Sequence, residues 1–243
     1  MPSVFTATDF NVNDITFGKH KPNINGGYNI DISIGESNNE SLIQTPKMRA
    51  PFGISTDKTN PFKKSIDVSF QGMESNQAIK DFRKMAEEVD TIAINYAVAN
   101  SETFFKKKLT REVISEYYYS NIKISKKEQY SDTFKYKLLF LKPNPEKNLP
   151  NGKYITSFWT PKGEEHNDSY LDKGDSLTGL IKPQQLWVAN KSFGVSWVCT
   201  QLQVHKQQKI SGFAFKKTAE PDEPAEAITS EEEYEEEEVE VDA

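Results

Sequence analysis

The chain has almost no cysteine. One thiol, Cys199, among 243 residues excludes an internal disulfide and points to a reducing compartment. Cys199 follows a valine in a strand-like run, the setting of a small buried hydrophobe rather than of a nucleophile. Histidine is scarce as well. His20, His166 and His205 stand far apart and show no HxxxH or CxxC spacing, so no metal and no cofactor is expected. No apolar run approaches about 18 residues, which leaves neither a membrane-spanning helix nor a membrane partner to expect. The opening MPSVFTATDF lacks the basic and apolar stretches of a secretory signal. Phosphate-loop, dinucleotide and nucleophile-elbow glycine patterns are missing, and the plentiful carboxylates show no spacing that singles out a pair. The expectation is a soluble, non-enzymatic intracellular protein with no catalytic residue.

Positive charge is missing from the last stretch. Between Ala219 and Ala243 there are 13 acidic residues and no Lys or Arg, so all 30 basic residues lie at or before Lys217. The formal net charge of −6 therefore divides into a body of about +7 and a tail of −13. Such a body attracts polyanions, and a tethered polyanion competes for the same surface at high effective concentration. The tail is Glu-rich, with Tyr234 as its sole aromatic, and is expected to be disordered. Residues 1–217 form the expected body and 218–243 the tail.

What the body has in quantity is aromatic rings and strand patterns. Tyr28 to Ile34 alternates cleanly, and Ile66, Val68 and Phe70 repeat the pattern. Shorter strands are expected at Val4–Phe10 and Asp14–Phe17. Residues 35–61 are polar and Pro-punctuated, which suggests a long irregular excursion. Between Ser75 and Asn100 the period changes to 3.6, with Ile79, Phe82, Met85, Val89, Ile92, Ala93 and Tyr96 on one face. That is a long helix with Ser75 as N-cap; a shorter helix is expected from Thr110 to Tyr118. Phe134–Lys142, Lys153–Trp159 and Ile210–Phe215 are further strands, with Phe140 expected in the core.

The organising stretch is Leu177 to His205, which carries Trp187 and Trp197. Leu186–Ala189, a polar turn at Asn190-Lys191-Ser192, and Phe193–His205 make a hairpin. Strict alternation puts Phe193, Val195, Trp197 and Cys199 on one face and Gly194, Ser196, Val198, Thr200, Leu202 and Val204 on the other. The predicted class is mainly β with one long and one short helix, an OB-fold-like five-stranded barrel with insertions.

Lysines interleave with rings along these strands, which is the combination single-stranded nucleic acid needs: π-faces for bases and ammonium groups for phosphates. The candidate DNA-binding residues are Lys106, Lys107, Lys108, Arg111, Lys123, Lys135, Lys137, Tyr154, Trp159, Trp187, Lys191 and Phe193. Glu231, Glu232, Glu233, Tyr234, Glu235 and Glu236 are the candidate partner-binding segment of the tail.

The pattern Leu177…Pro183…Trp187…Phe193-Gly194-Val195-Ser196-Trp197…Gln201-Leu202-Gln203-Val204 resembles a family of large eukaryotic DNA viruses similar to the single-stranded DNA-binding protein of T-seven-type phages. The resemblance implies an OB-fold core with a long helix inserted between strands. It also implies an acidic tail that competes with DNA and docks a viral DNA polymerase or other replication proteins. Phage tails of this kind end in an aromatic residue, whereas this chain ends Val241-Asp242-Ala243. The expectation is single-stranded DNA binding in viral replication, recombination or repair, in the nucleus or cytoplasmic factory of an infected cell, with a homodimer open. Two other classes stand beside it: a virion structural β-sandwich protein and an acidic-tailed chaperone of basic proteins.

Overall fold

The computed structural model describes residues 2–24, 26–35, 41–147 and 149–207. The expected strand at Ile210–Phe215 and the acidic tail, including Glu231–Glu236, lie outside the described residues. In chain order the strands and helices are β1 Ser3–Phe5, β2 Ile15–Pro22, β3 Tyr28–Ile34, β4 Ser41–Gln44, β5 Met48–Arg49, β6 Ile54–Thr56, β7 Lys64–Ser69, α1 Gln77–Ala99, α2 Ser101–Phe105 and α3 Arg111–Tyr117. They continue with β8 Ile122–Lys123, β9 Thr133–Leu138, β10 Phe140–Leu141, β11 Lys153–Tyr154, β12 Ser157–Trp159, β13 Glu165–His166, β14 Ser176–Ala189 and β15 Ser192–His205. The class is mainly β with one long helix, as the sequence indicates. The excursion expected at 35–61 is not irregular throughout. It contains β4, β5 and β6, strands too short to show a period of two.

β14 and β15 form the spine. They pair antiparallel from Ser176↔His205 to Ala189↔Ser192 and turn at Asn190, whose φ of 53° suits the tight turn. On one side β14 takes β5, β4 and β3 in succession along its length; on the other, β15 takes β9 and β12 in parallel. β7 pairs with β9, and β6 with β7. The β14–β15 register shifts twice, between Leu180/Ile181 and between Pro183/Gln185. The first shift overturns strict alternation along β15. Cys199 faces Ile181 while Gln201 faces Leu180, so Thr200 is the extra residue and Leu202 and Val204 return to the same buried side as Trp197 and Cys199.

The inner face is closed by α1. Ile79, Phe82, Met85, Ala86, Val89, Ala93 and Ala97 make one buried stripe along it. The N-cap is Asn76 rather than Ser75: Asn76 Oδ1 accepts from the backbone N–H groups of Ala78 (3.1 Å) and Ile79 (3.4 Å). Phe82 meets Phe134 edge-on at 5.2 Å, and Phe134 meets Trp197 edge-on at 5.3 Å, so helix, β9 and β15 lock through one run of rings. Trp197 Nε1 has no hydrogen-bond partner among the described residues, so this ring contributes through its buried area and its ring contact rather than through a hydrogen bond. No helix among the described residues is long and apolar enough to cross a membrane.

A half-buried carboxylate ties α1 to the segment that follows α3. Tyr118 Oη donates to Asp90 Oδ1 and Ser120 Oγ to Asp90 Oδ2, both at 2.5 Å. Burial, with a smaller contribution from Glu87, pushes the Asp90 carboxyl up to about 6 against the opposing effect of the two hydroxyls. The ordinary value is 3.8. In the window from about 4 to 6 the folded protein holds a proton that the unfolded chain has released, so stability from this group falls as pH rises. The fall amounts to about 3 kcal/mol. Asp90→Asn removes it, so the melting temperature of the variant should gain on wild type by about 5–10 °C between pH 4 and pH 7. Parallel melting curves against pH for the two proteins would refute this reading of Asp90.

Candidate nucleic-acid interface

The outer face of the same sheet carries charge. On β9, alternation sends Phe134, Tyr136 and Leu138 inward and Lys135 and Lys137 outward. Register then sets Lys137 beside Ser65 of β7 and Val198 of β15, and Lys135 beside Asp67. A groove of about 350 Å³ opens here, lined by Lys63, Lys64, Lys135, Lys137, Phe62 and Phe140 among others. The second register shift of β14 brings the exposed Gln184 to its wall. Asp57 is the one carboxylate lining the groove among the described residues. It is held below its usual range first by hydrogen bonds from Thr59, with Asn60 and Lys63 adding to the effect.

The lysines repel one another. Lys137 Nζ donates to Ser196 Oγ at 2.8 Å, and burial of the ammonium, then Lys63 and Lys135, hold it below the ordinary lysine range. Lys135 is lowered likewise, chiefly by burial, with Lys123 adding to the effect and Asp67 opposing it. A bound anion relieves both costs at once.

Rings form a ladder along the groove. Phe62 and Phe140 lie nearly parallel, 10° apart in tilt with centroids 6.5 Å apart. Phe140 meets Tyr154 edge-on at 4.8 Å, and Tyr154 meets Phe158 edge-on at 5.5 Å. Lys64 Nζ lies 5.8 Å from the Phe140 centroid and Lys142 Nζ 6.0 Å from that of Phe62. Gly152 seats Phe140. At φ 75° its α-carbon packs against the ring, and an added Cβ would lie 2.4 Å from the Leu141 carbonyl oxygen and 2.7 Å from Phe140. Ammonium groups beside half-buried flat rings can hold phosphates while bases stack. Among the described residues no group of three or more His, Cys, Asp or Glu could hold a metal ion.

Residues 64–217 match a protein family described as a family of unknown function (DUF5871). The chain belongs to this family. No match is found among curated proteins. Among solved structures the chain is similar to gp2.5, a single-stranded DNA-binding protein encoded by bacteriophage T7, at 14% identity and a TM-score of 0.41, over 73% of this chain and 98% of that one. It is also similar to the single-stranded DNA-binding protein of bacteriophage Enc34. The C-terminally truncated form matches at 12% identity and a TM-score of 0.39, over 82% of this chain and 99% of that one. The same protein in complex with single-stranded DNA matches at 14% and 0.38, over 79% and 97%. These likenesses are distant.

The structure brings together some of the expected residues of this family member and separates others. Lys135 and Lys137 line the groove, and Tyr154 joins its ring ladder. Lys123 stands next to them on β8, with Nζ 2.7 Å from Asp67 Oδ1, so part of its charge is already neutralised. Lys106, Lys107, Lys108 and Arg111 lie exposed around the α2–α3 junction, with Lys106 Nζ 6.0 Å from the Tyr28 ring and Arg111 bonded to Asn95. Tyr28 pairs with Val188, close to the hairpin turn that carries the exposed Lys191, so these cations share one end of the sheet. Trp187 is half-buried across from Gly194, where an added Cβ would come within 3.1 Å of the indole. Trp159 is half-buried too, with Nε1 donating to Ser157 Oγ at 2.8 Å, beside a separate depression lined by Gln44, Gln201 and Gln203.

Phe193 is a correction. It is fully buried, with Phe105 at 6.0 Å and Tyr118 at 5.2 Å against its ring, so it packs the core and has no face for a base. Phe140 corrects the sequence reading in the opposite sense, being half-buried in the groove rather than core. Phe62, Lys63, Lys64, Lys142 and Gln184 were not singled out from the sequence. A phenylalanine directly before two lysines in a Pro-led loop, Pro61-Phe62-Lys63-Lys64, was the available signal.

Proposed function

We propose that this protein binds single-stranded DNA along the lysine groove of its outer sheet face. Phosphates would lie on Lys63, Lys64, Lys135 and Lys137, with bases stacked on Phe62 and Phe140. The observation that carries the reading is the groove itself: four lysines, two of them held below their ordinary range by burial and by neighbouring lysines, flanking a ladder of half-buried rings. Both contributions tolerate any sequence, because every base has a π-face and every nucleotide a phosphate. The setting proposed is replication, recombination or repair of viral DNA in an infected cell, without enzymatic chemistry. The acidic tail competes with DNA for the body and docks a DNA polymerase or another replication protein. What supports the tail's role is the charge split, about +7 against −13.

Anisotropy of a labelled oligo-dT tests the reading. Saturable binding is expected, with log K falling against log salt at a slope of about −0.7 per phosphate contacted, so about −3 for the four lysines. Absence of binding at low salt, by the full chain and by a chain ending at Lys217, would overturn it.

A further inference from the structure

The outer face continues past the lysine groove. Strict alternation along β15 would put Leu202 and Val204 on the side of Val198 and turn Gln201 and Gln203 into the core. The extra residue at Thr200 reverses this. Leu202 and Val204 are fully buried, and Gln201 and Gln203 carry on the face where Val198 meets Lys137. β12 pairs with this stretch, Ser157↔Gln201 and Trp159↔Gln203, so Trp159 stands beside the two amides while Phe158 goes inward with Leu202. On the other side Leu180 and Thr178 of β14 face Gln201 and Gln203, and Gln44 of β4 faces Leu180.

These residues line the depression of about 220 Å³, and no charged side chain among the described residues lines it with them. Trp159 and Leu180 supply apolar surface. The side-chain amides of Gln44, Gln201 and Gln203 make no hydrogen bond among the described residues. The indole is held in place through its bond to Ser157 Oγ. Glu165 of β13 pairs with Trp159 and shares its face, a negative charge that disfavours a phosphate here.

We propose that this depression is a second base subsite, where a base stacks on Trp159 and the amides of Gln201 and Gln203 bond its edge. The inference rests on the single-stranded DNA reading and deepens it by setting the path of the strand. DNA leaves the lysine groove and follows β15 past Thr200, roughly 15 Å from Val198 to Gln203. That span suits one strand, since an OB fold takes about 4–16 nucleotides. An amide both donates and accepts, so the subsite takes the edge of any base. The groove holds phosphates and the depression holds a base, so the depression adds affinity without salt dependence.

The test follows tryptophan fluorescence and anisotropy together on the full chain, with an oligo-dT of about 16 nucleotides. Trp197 is fully buried, and Trp187→Phe leaves Trp159 as the one half-exposed indole. In that background DNA should quench the fluorescence with the same midpoint as the anisotropy. Trp159→Leu in the wild-type chain should weaken binding about five- to ten-fold with the salt slope unchanged, and Trp159→Phe, which keeps a ring, should restore most of it. Gln201→Ala with Gln203→Ala should cost about two- to ten-fold, again at constant slope. Binding by anisotropy without quenching of Trp159, or a Trp159→Leu chain that binds like wild type, would overturn the subsite and leave the groove reading standing. If no chain binds at low salt, the groove reading falls and the subsite with it.

Discussion

Ending the chain at Lys217 should tighten oligo-dT binding about ten- to hundred-fold at low salt, from a tethered competitor at roughly millimolar effective concentration and a self-affinity in the non-specific range. The tail carries 13 acidic side chains against a body that holds every cation of the chain, the last of them Lys217. Under self-competition, every lysine that the tail would occupy is one that a phosphate must win back. Tail and DNA rely on the same screened attraction, so the two chains should converge as salt rises. Replacing the tail glutamates by glutamine in the full chain separates charge from bulk: the substituted chain should behave like the truncated one. Equal low-salt affinities of the full and shortened chains would eliminate self-competition and leave the tail a docking or solubility segment.

Legibility in the sequence followed distance along the chain. Tyr28–Ile34 alternates without interruption and is β3 to the residue; the stripe from Ile79 to Tyr96 falls within α1, Gln77–Ala99. Lys135 and Lys137 were legible as outward residues because β9 is a plain two-residue repeat beside an inward Phe134, Tyr136 and Leu138. The extra residue at Thr200 was not legible, since a register shift is fixed by the partner strand and leaves no mark on β15 itself. Phe193 was misplaced for a related reason. Its covering residues, Phe105 and Tyr118, come from a segment some 75–90 positions earlier, and no local pattern says that this segment folds over the hairpin. The ring ladder draws on positions 62, 140 and 154, so each ring on its own resembled core or loop. Local periodicity specified the strands; the site arises where three loops and strand ends meet.

Rings and lysines contribute in ways that separate experimentally, and the largest single-site effect expected belongs to Phe140. Phe140→Leu keeps an apolar side chain against Gly152 and removes the flat face, so about 1–3 kcal/mol, or roughly five- to 150-fold in affinity for oligo-dT, should be lost per base stacked there. The salt slope should stay where it was, because no phosphate contact has gone. Lys137→Met does the reverse. It removes one ammonium from the groove and should flatten the slope by about 0.7, with a loss of affinity that fades at high salt. Phe193→Leu is the internal control. Phe193 is as aromatic as Phe140 but buried, so the change should lower thermal stability and leave the affinity of the folded protein unchanged. A Phe140 variant that binds like wild type while a Lys137 variant loses slope would mean that the groove holds phosphates alone. The bases would then stack elsewhere, with the half-buried Trp187 and Trp159 as the rings to test next.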